Sequence, residues 1–178
     1  MFWRVRPIFI LETVSMKPNA SATWVGGLKH GKGVVTTGSG SLLQSQYFGT
    51  GDGEVKGANP YELIAAAHAA CFSMMLANEF AGAGFPPQRI ATTVTVTMEP
   101  LPAGWTITGI QLDVLAQVPQ AQQGDFIRAA VCAKTNCTIS RLLNANISMS
   151  AKLDNSETRR KEEVRRPIDS LKALKTKK

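Results

Sequence analysis

The sequence is short of the groups that hold metals. It has three cysteines and two histidines among 178 residues, and no Cys-x-x-Cys pair. A closed zinc site takes four such ligands at characteristic spacings, so no such site is expected. Cys71, Cys132 and Cys137 are also too few and too unevenly placed for the disulfide framework of a small secreted domain. So few cysteines fit a reducing, cytoplasmic compartment, where a retained thiol is either buried or reactive. Long apolar runs are missing as well. The best candidate is interrupted by His68, Ser73 and Asn78, so no membrane span is expected.

Positive charge is present but badly distributed for nucleic-acid binding. Of a net charge of +7, residues 155–178 hold nine Lys/Arg against four Asp/Glu. Residues 16–154 hold nine basic and eight acidic side chains and are close to neutral. A nucleic-acid-binding domain spreads its basic residues over one folded face, whereas this basicity belongs to a tail. That tail has few apolar residues and Pro167 in its middle, which predicts a solvated, disordered segment. At the other end, "MFWRVRPIFILETVS" has a short apolar part broken by Arg4, Arg6 and Pro7, with no clear small-residue cleavage site. Met16 opens a sequence that reads at once as domain. The expected organisation is an N-terminal extension over 1–15, one domain over 16–154, and the tail over 155–178.

Within the domain the hydrophobic content of 44% supports a packed core. "ASATWVGG", "KGVVTTGSG" and part of "GSLLQSQYFGTGDGEVKG" read as strands, with a Gly/Asp-rich loop at 49–57. A helix then opens at Asn59-Pro60, with Asn59 as N-cap, Pro60 at the first helical position and Glu62 completing a capping box. "GAGF" followed by "PP" ends it. This helix is apolar nearly all round, which predicts burial inside a domain or between subunits. "RIATTVTVTMEP" and "GWTITGIQLDVLAQV" alternate with period two and are joined as a hairpin by "LPAG". A second helix covers "QGDFIRAAVCAKTNCTISRLLNA", broken near Thr135-Asn136, and "ISMSAKLD" reads as a final strand.

Cys71 lies about three turns into the first helix, out of reach of the positive end of its dipole. A thiolate there needs a cation or a donor supplied by another element, and His68, at i−3, is the one local candidate. Cysteine is also among the most buried residue types, so packing is the plainer reading of Cys71 taken alone. Cys137, by contrast, stands just before a helical segment starting at Thr138 or Ile139, where backbone amides favour a thiolate.

"NPYELIAAAHAACFSMML" and, further on, "AKTNCTISRLLNANISMSAKL" together resemble the osmotically inducible protein C family and its organic hydroperoxide resistance relatives. The resemblance extends over residues 16–153. It implies an α+β fold, with antiparallel sheets packed on a long buried central helix in an intertwined homodimer. It also implies a thiol-dependent peroxidase reducing organic hydroperoxides or hydrogen peroxide in stress defence. Cys71 then falls at the peroxidatic position and Cys137 at the resolving one, a dithiol reductant regenerates the pair, and no metal or organic cofactor is required. Cys132 matches no motif of the family and reads as structural.

The chain departs from the pattern in three places. The family's arginine, counted back six residues from Thr36, falls on His30, and its glutamate, ten residues before Cys71, falls on Tyr61. A neutral imidazole is a poorer partner for an anion than a guanidinium, so weakened activity is expected. Lys29, His30 and Lys32 are candidate replacements from the loop. Glu62 is not, because at about 100° per residue it lies half a turn away from Cys71. Thr138 stands where the family has proline. These losses motivate an alternative: a non-catalytic stress protein on the same scaffold, binding an apolar ligand or sensing oxidants.

Overall fold

The computed structural model describes residues 15–28, 30–49 and 57–154. The expected extension, Ser15 excepted, and the basic tail lie outside them, as do Lys29 and most of the Gly/Asp-rich loop. The chain divides into two compact units, Met1–Asn59 and Pro60–Lys178.

The first unit is a three-stranded antiparallel meander of β1 (Ala20–Val25), β2 (Lys32–Thr37) and β3 (Ser45–Phe48), with β2 in the centre. The β-branched run Val34-Val35-Thr36-Thr37 suits that central, doubly paired strand. Gly33 faces Trp24 on one neighbour and Tyr47 on the other. A β-carbon at Gly33 would collide with the Tyr47 ring, which lies over it, with its centroid 5.6 Å from that of Trp24. Only glycine lets the two rings close across the strand. His30 sits exposed in the loop leading into β2.

The second unit contains α1 (Pro60–Gly82), β4 (Arg89–Leu101), β5 (Gly104–Gln117), α2 (Gln123–Asn136), α3 (Thr138–Leu142) and β6 (Asn146–Leu153). β4 and β5 form the expected antiparallel hairpin, but β6 pairs parallel to β5, from Gly109↔Asn146 to Ala116↔Leu153. The sheet, in order β4-β5-β6, is therefore mixed rather than antiparallel throughout. The reason is the connection: α2 and α3 make a crossover between β5 and β6, and a crossover returns the chain in the same direction.

β5 alternates cleanly. Ile110, Leu112, Val114 and Ala116 are buried while Asp113 and Leu115 are exposed, so one face of the sheet is the core face. Phe72, Leu76 and Phe80 of α1 and Phe126, Ala129, Ala130 and Ala133 of α2 pack with that face in one cluster, which also contains Cys137. Phe80 and Phe126 stack with centroids 6.0 Å apart.

The end of α1 follows from Gly84, at φ +82°. The Gly84 N–H donates to Ala81 O (3.1 Å) and the Phe85 N–H to Phe80 O (2.9 Å). This is a Schellman closure, which needs a left-handed residue that glycine adopts without strain.

Within this chain α1 is buried along one side, the i, i+4 stripe His68, Phe72, Leu76 and Phe80. The opposite stripe, Ala66, Ala70, Met74 and Asn78, is exposed. The alanine-rich composition gave α1 no polar face by which to tell the two sides apart. By length and mean hydropathy α1 is also apolar enough to cross a membrane, despite His68, Ser73 and Asn78. In this chain its buried side packs against β4, α2 and α3. Ser73 donates a hydrogen bond to Thr92 Oγ1 of β4 at 2.8 Å.

Candidate active site

Cys71 is half-buried in the middle of α1, and the element that reaches it is the α2–α3 junction. α2 stops at Asn136 because Cys137 leaves helical geometry at φ −59°, ψ 120°. Its N–H still donates to Ala133 O, while its own carbonyl accepts from the Arg141 N–H and starts α3. One residue thus ends one helix and caps the next. That kink turns the fully buried Cys137 side chain towards α1, and its thiol donates to Cys71 Sγ at 3.3 Å.

The 136–140 segment is laced along α1 at three points. Asn136 Nδ2 donates to Glu79 Oε1 (3.3 Å), Thr138 Oγ1 lies 3.3 Å from Cys71 Sγ, and Ser140 Oγ shares a 2.8 Å hydrogen bond with His68 Nε2. As the segment advances, its partners on α1 step backwards, so the two run antiparallel. At 100° per residue, positions 68, 71 and 79 fall within about 80° of one another around α1, on one face.

These contacts settle the electrostatics of Cys71. Burial alone pushes its thiol up, since a low-dielectric setting disfavours the charged form. The Thr138 hydroxyl, the Ile139 N–H, the Cys137 thiol and the Thr138 N–H together outweigh it and bring Cys71 below the ordinary thiol range. The donors that α1 cannot supply itself therefore come from α3. His68, the local candidate, is engaged with Ser140 instead.

Sequence reasoning leaves two participants unassigned: Thr138, which adds a donor where the family has proline, is given no partner, and Ser140 is not singled out. The signal for Thr138 was a hydroxyl adjacent to Cys137 at a helix start; for Ser140 there was none, since its partner is distant in sequence. Cys132 is exposed on α2. Tyr61 is half-buried in the first turn of α1, while His30 belongs to the first unit. Among the described residues, no group of three His, Cys, Asp or Glu side chains is arranged to hold a metal ion.

His68 is completely buried, its Nδ1 makes no hydrogen bond, and burial holds its pKa below the ordinary histidine value. The unfolded chain therefore takes up a proton at higher pH than the folded one does. Stability is expected to be full above about pH 6.5 and to be lost as pH falls through the folded value. The slope from this one proton cannot exceed about 1.4 kcal/mol per pH unit. Chemical denaturation across pH 5–7.5 on the protein and on His68→Gln checks this (about the histidine range). The variant should lose that part of the slope, and an unchanged slope would assign it to other groups.

Comparison with known proteins places the chain in a family. The model of the OsmC-like protein family matches residues 50–152. Peroxiredoxin OsmC of Escherichia coli (strain K12) is 41% identical over 141 residues, covering 79% of this chain and 99% of that protein. The Shigella flexneri protein of the same name matches equally well. Among solved structures, an OsmC-like protein of unknown function from Vibrio cholerae superposes with TM-score 0.66 at 11% identity, covering 78% of this chain and all of that one, 100%. The organic hydroperoxide resistance protein OhrB of Bacillus subtilis superposes with TM-score 0.58 at 19% identity, covering 75% of this chain and 98% of its own. These two structures share the fold, and with the family match and the 41% relative they lead to one conclusion: the chain belongs to the family of OsmC-like proteins.

Proposed function

We propose that the chain is a thiol-dependent peroxidase that reduces organic hydroperoxides or hydrogen peroxide, with Cys71 as nucleophile and Cys137 as resolving thiol. The observation that carries this reading is the sulfur pair: Cys71 Sγ, bearing a thiol below its ordinary range, lies 3.3 Å from Cys137 Sγ. The name of the 41% identical relative, a peroxiredoxin, supports the same chemistry.

The Cys71 thiolate attacks the distal oxygen of the hydroperoxide. An S–O bond forms, the O–O bond breaks, and the leaving alkoxide takes a proton to become an alcohol. Cys71 is now a sulfenic acid. Cys137 then attacks that sulfur, the S–S bond forms, and the oxygen leaves as water with the proton that Cys137 gives up. A disulfide stands at about 2.05 Å, so the sulfurs need to close by only roughly 1.3 Å. An external dithiol reduces the disulfide by exchange and returns both thiols, itself becoming oxidised.

The working unit is a homodimer, in which a second copy covers the exposed stripe Ala66, Ala70 and Met74 of α1. Alanines there let another backbone approach closely. Residues 16–154 form the OsmC-like domain, and the protein works in the cytoplasm, where a dithiol donor is at hand and neither membrane nor nucleic acid is a partner.

The test mixes reduced protein with cumene hydroperoxide and a dithiol and follows peroxide loss. Cys71→Ser is expected to reduce consumption to the protein-free rate. Consumption unchanged in that variant would remove Cys71 from the reaction and the peroxidase reading with it.

A further inference from the structure

If Cys71 is the nucleophile, something must offset the charge of its thiolate in the middle of a helix. Two side chains hydrogen-bond to Cys71 Sγ among the described residues: the Cys137 thiol and the Thr138 hydroxyl, each at 3.3 Å. They are not equivalent. Cys137 reacts in the cycle: it surrenders its proton when it attacks the sulfenic acid and recovers it only when the dithiol reduces the disulfide. Thr138 gains and loses no bond and no proton, so its hydroxyl is the side-chain donor that no step of the cycle alters.

We propose that Thr138 is a catalytic residue of this chain: its hydroxyl donates a hydrogen bond to the anionic Cys71 sulfur from which attack on the peroxide begins. The proposal rests on the reading of Cys71 as the nucleophile. The direction of the bond follows from chemistry, because a thiolate has no hydrogen to give and a hydroxyl does. A hydrogen bond to an ionised partner is roughly twice as strong as one between neutral groups. It therefore favours the form of Cys71 that reacts.

Placement supports the role as well. Thr138 is exposed, and an exposed hydroxyl on a free loop would turn to water. Here its backbone is pinned two residues before by Asn136 to Glu79 and two residues after by Ser140 to the buried His68. With contacts on both sides, what is left to set is the Thr138 side-chain rotamer and its hydroxyl hydrogen. Consistent with this, the Thr138 hydroxyl heads the groups that draw the Cys71 thiol down against the opposing effect of burial.

The experiment compares Thr138→Val, which keeps the shape and removes the donor, with Thr138→Ser, which keeps the donor. Iodoacetamide alkylation of Cys71, located by mass spectrometry, is followed against pH, and cumene hydroperoxide consumption is measured in parallel. With the donor gone, the midpoint of the alkylation profile should move to higher pH. Near neutrality both rates should fall roughly three- to tenfold, part of the lost thiolate fraction being offset by higher intrinsic nucleophilicity. Thr138→Ser should restore both. A Thr138→Val profile that overlays the original overturns the proposal, and so does equal impairment of the two variants, which would mark a packing role. The alkylation profile decides Thr138 even if the unaltered protein consumes no peroxide, a result that would instead overturn the peroxidase reading.

Discussion

Cys137→Ser protein should reduce one equivalent of peroxide and then stall. The first step uses only Cys71, so the O–O bond still breaks and a sulfenic acid still forms. What is lost is a thiol held 3.3 Å from that sulfur. Groups held in position react with effective concentrations of roughly 10⁵ M or more, far above any dithiol in solution. Steady-state turnover at millimolar dithiol should therefore fall about a hundredfold or more. Intact-mass measurement after one equivalent should find a single added oxygen on the variant and a disulfide on the unaltered protein. With excess peroxide the variant should progress to sulfinic acid. Serine suits position 137 structurally, because that residue caps α3 and serine is a good cap. Undiminished cycling in the variant would show that Cys137 does not resolve the reaction.

Phe126→Ala should be among the most destabilising simple truncations in the second unit. Phe126 is fully buried against Phe80, which is fully buried too, and it is the largest side chain by which α2 enters the core. Removing a buried aromatic ring costs about 3–5 kcal/mol, from the lost transfer energy and the cavity left behind. That is a large share of the 5–15 kcal/mol that typically holds a domain together. Denaturant unfolding gives the number directly. Ile127→Ala is the matched control: that neighbour is 51% exposed, and its truncation should stay within about 0.5 kcal/mol. A Phe126→Ala loss below about 1 kcal/mol, outside the range seen for buried rings, would mean α2 is held by something other than this stack. Since α2 leads straight into Cys137, the same variant should also slow disulfide closure.

Much of the fold was legible in local chemistry. Pro60 and the Gly84 closure bounded α1, period-two alternation marked β4 and β5, and Leu101 pairs with Gly104 across the hairpin turn as "LPAG" suggested. The parallel pairing of β6 was not, because alternation shows which face a strand buries and not which way it runs. The break at Cys137 was visible as weak helix formers at Thr135 and Asn136, though not that one residue would serve both helices. At the site, proximity of the two sulfurs was implied only by family resemblance. The hydroxyls of Thr138 and Ser140 could not be placed at all, since their partners lie 67 and 72 residues away in the chain.

The three-point lacing of 136–140 along α1 has one more consequence. Only the middle contact lies at the redox pair; the amide–carboxylate bond before it and the imidazole–hydroxyl bond after it involve no sulfur. A chain fastened on both sides of its reacting centre keeps its register while a bond is made and unmade there. The spent form can then be recharged by side-chain motion, without the backbone having to find its place again.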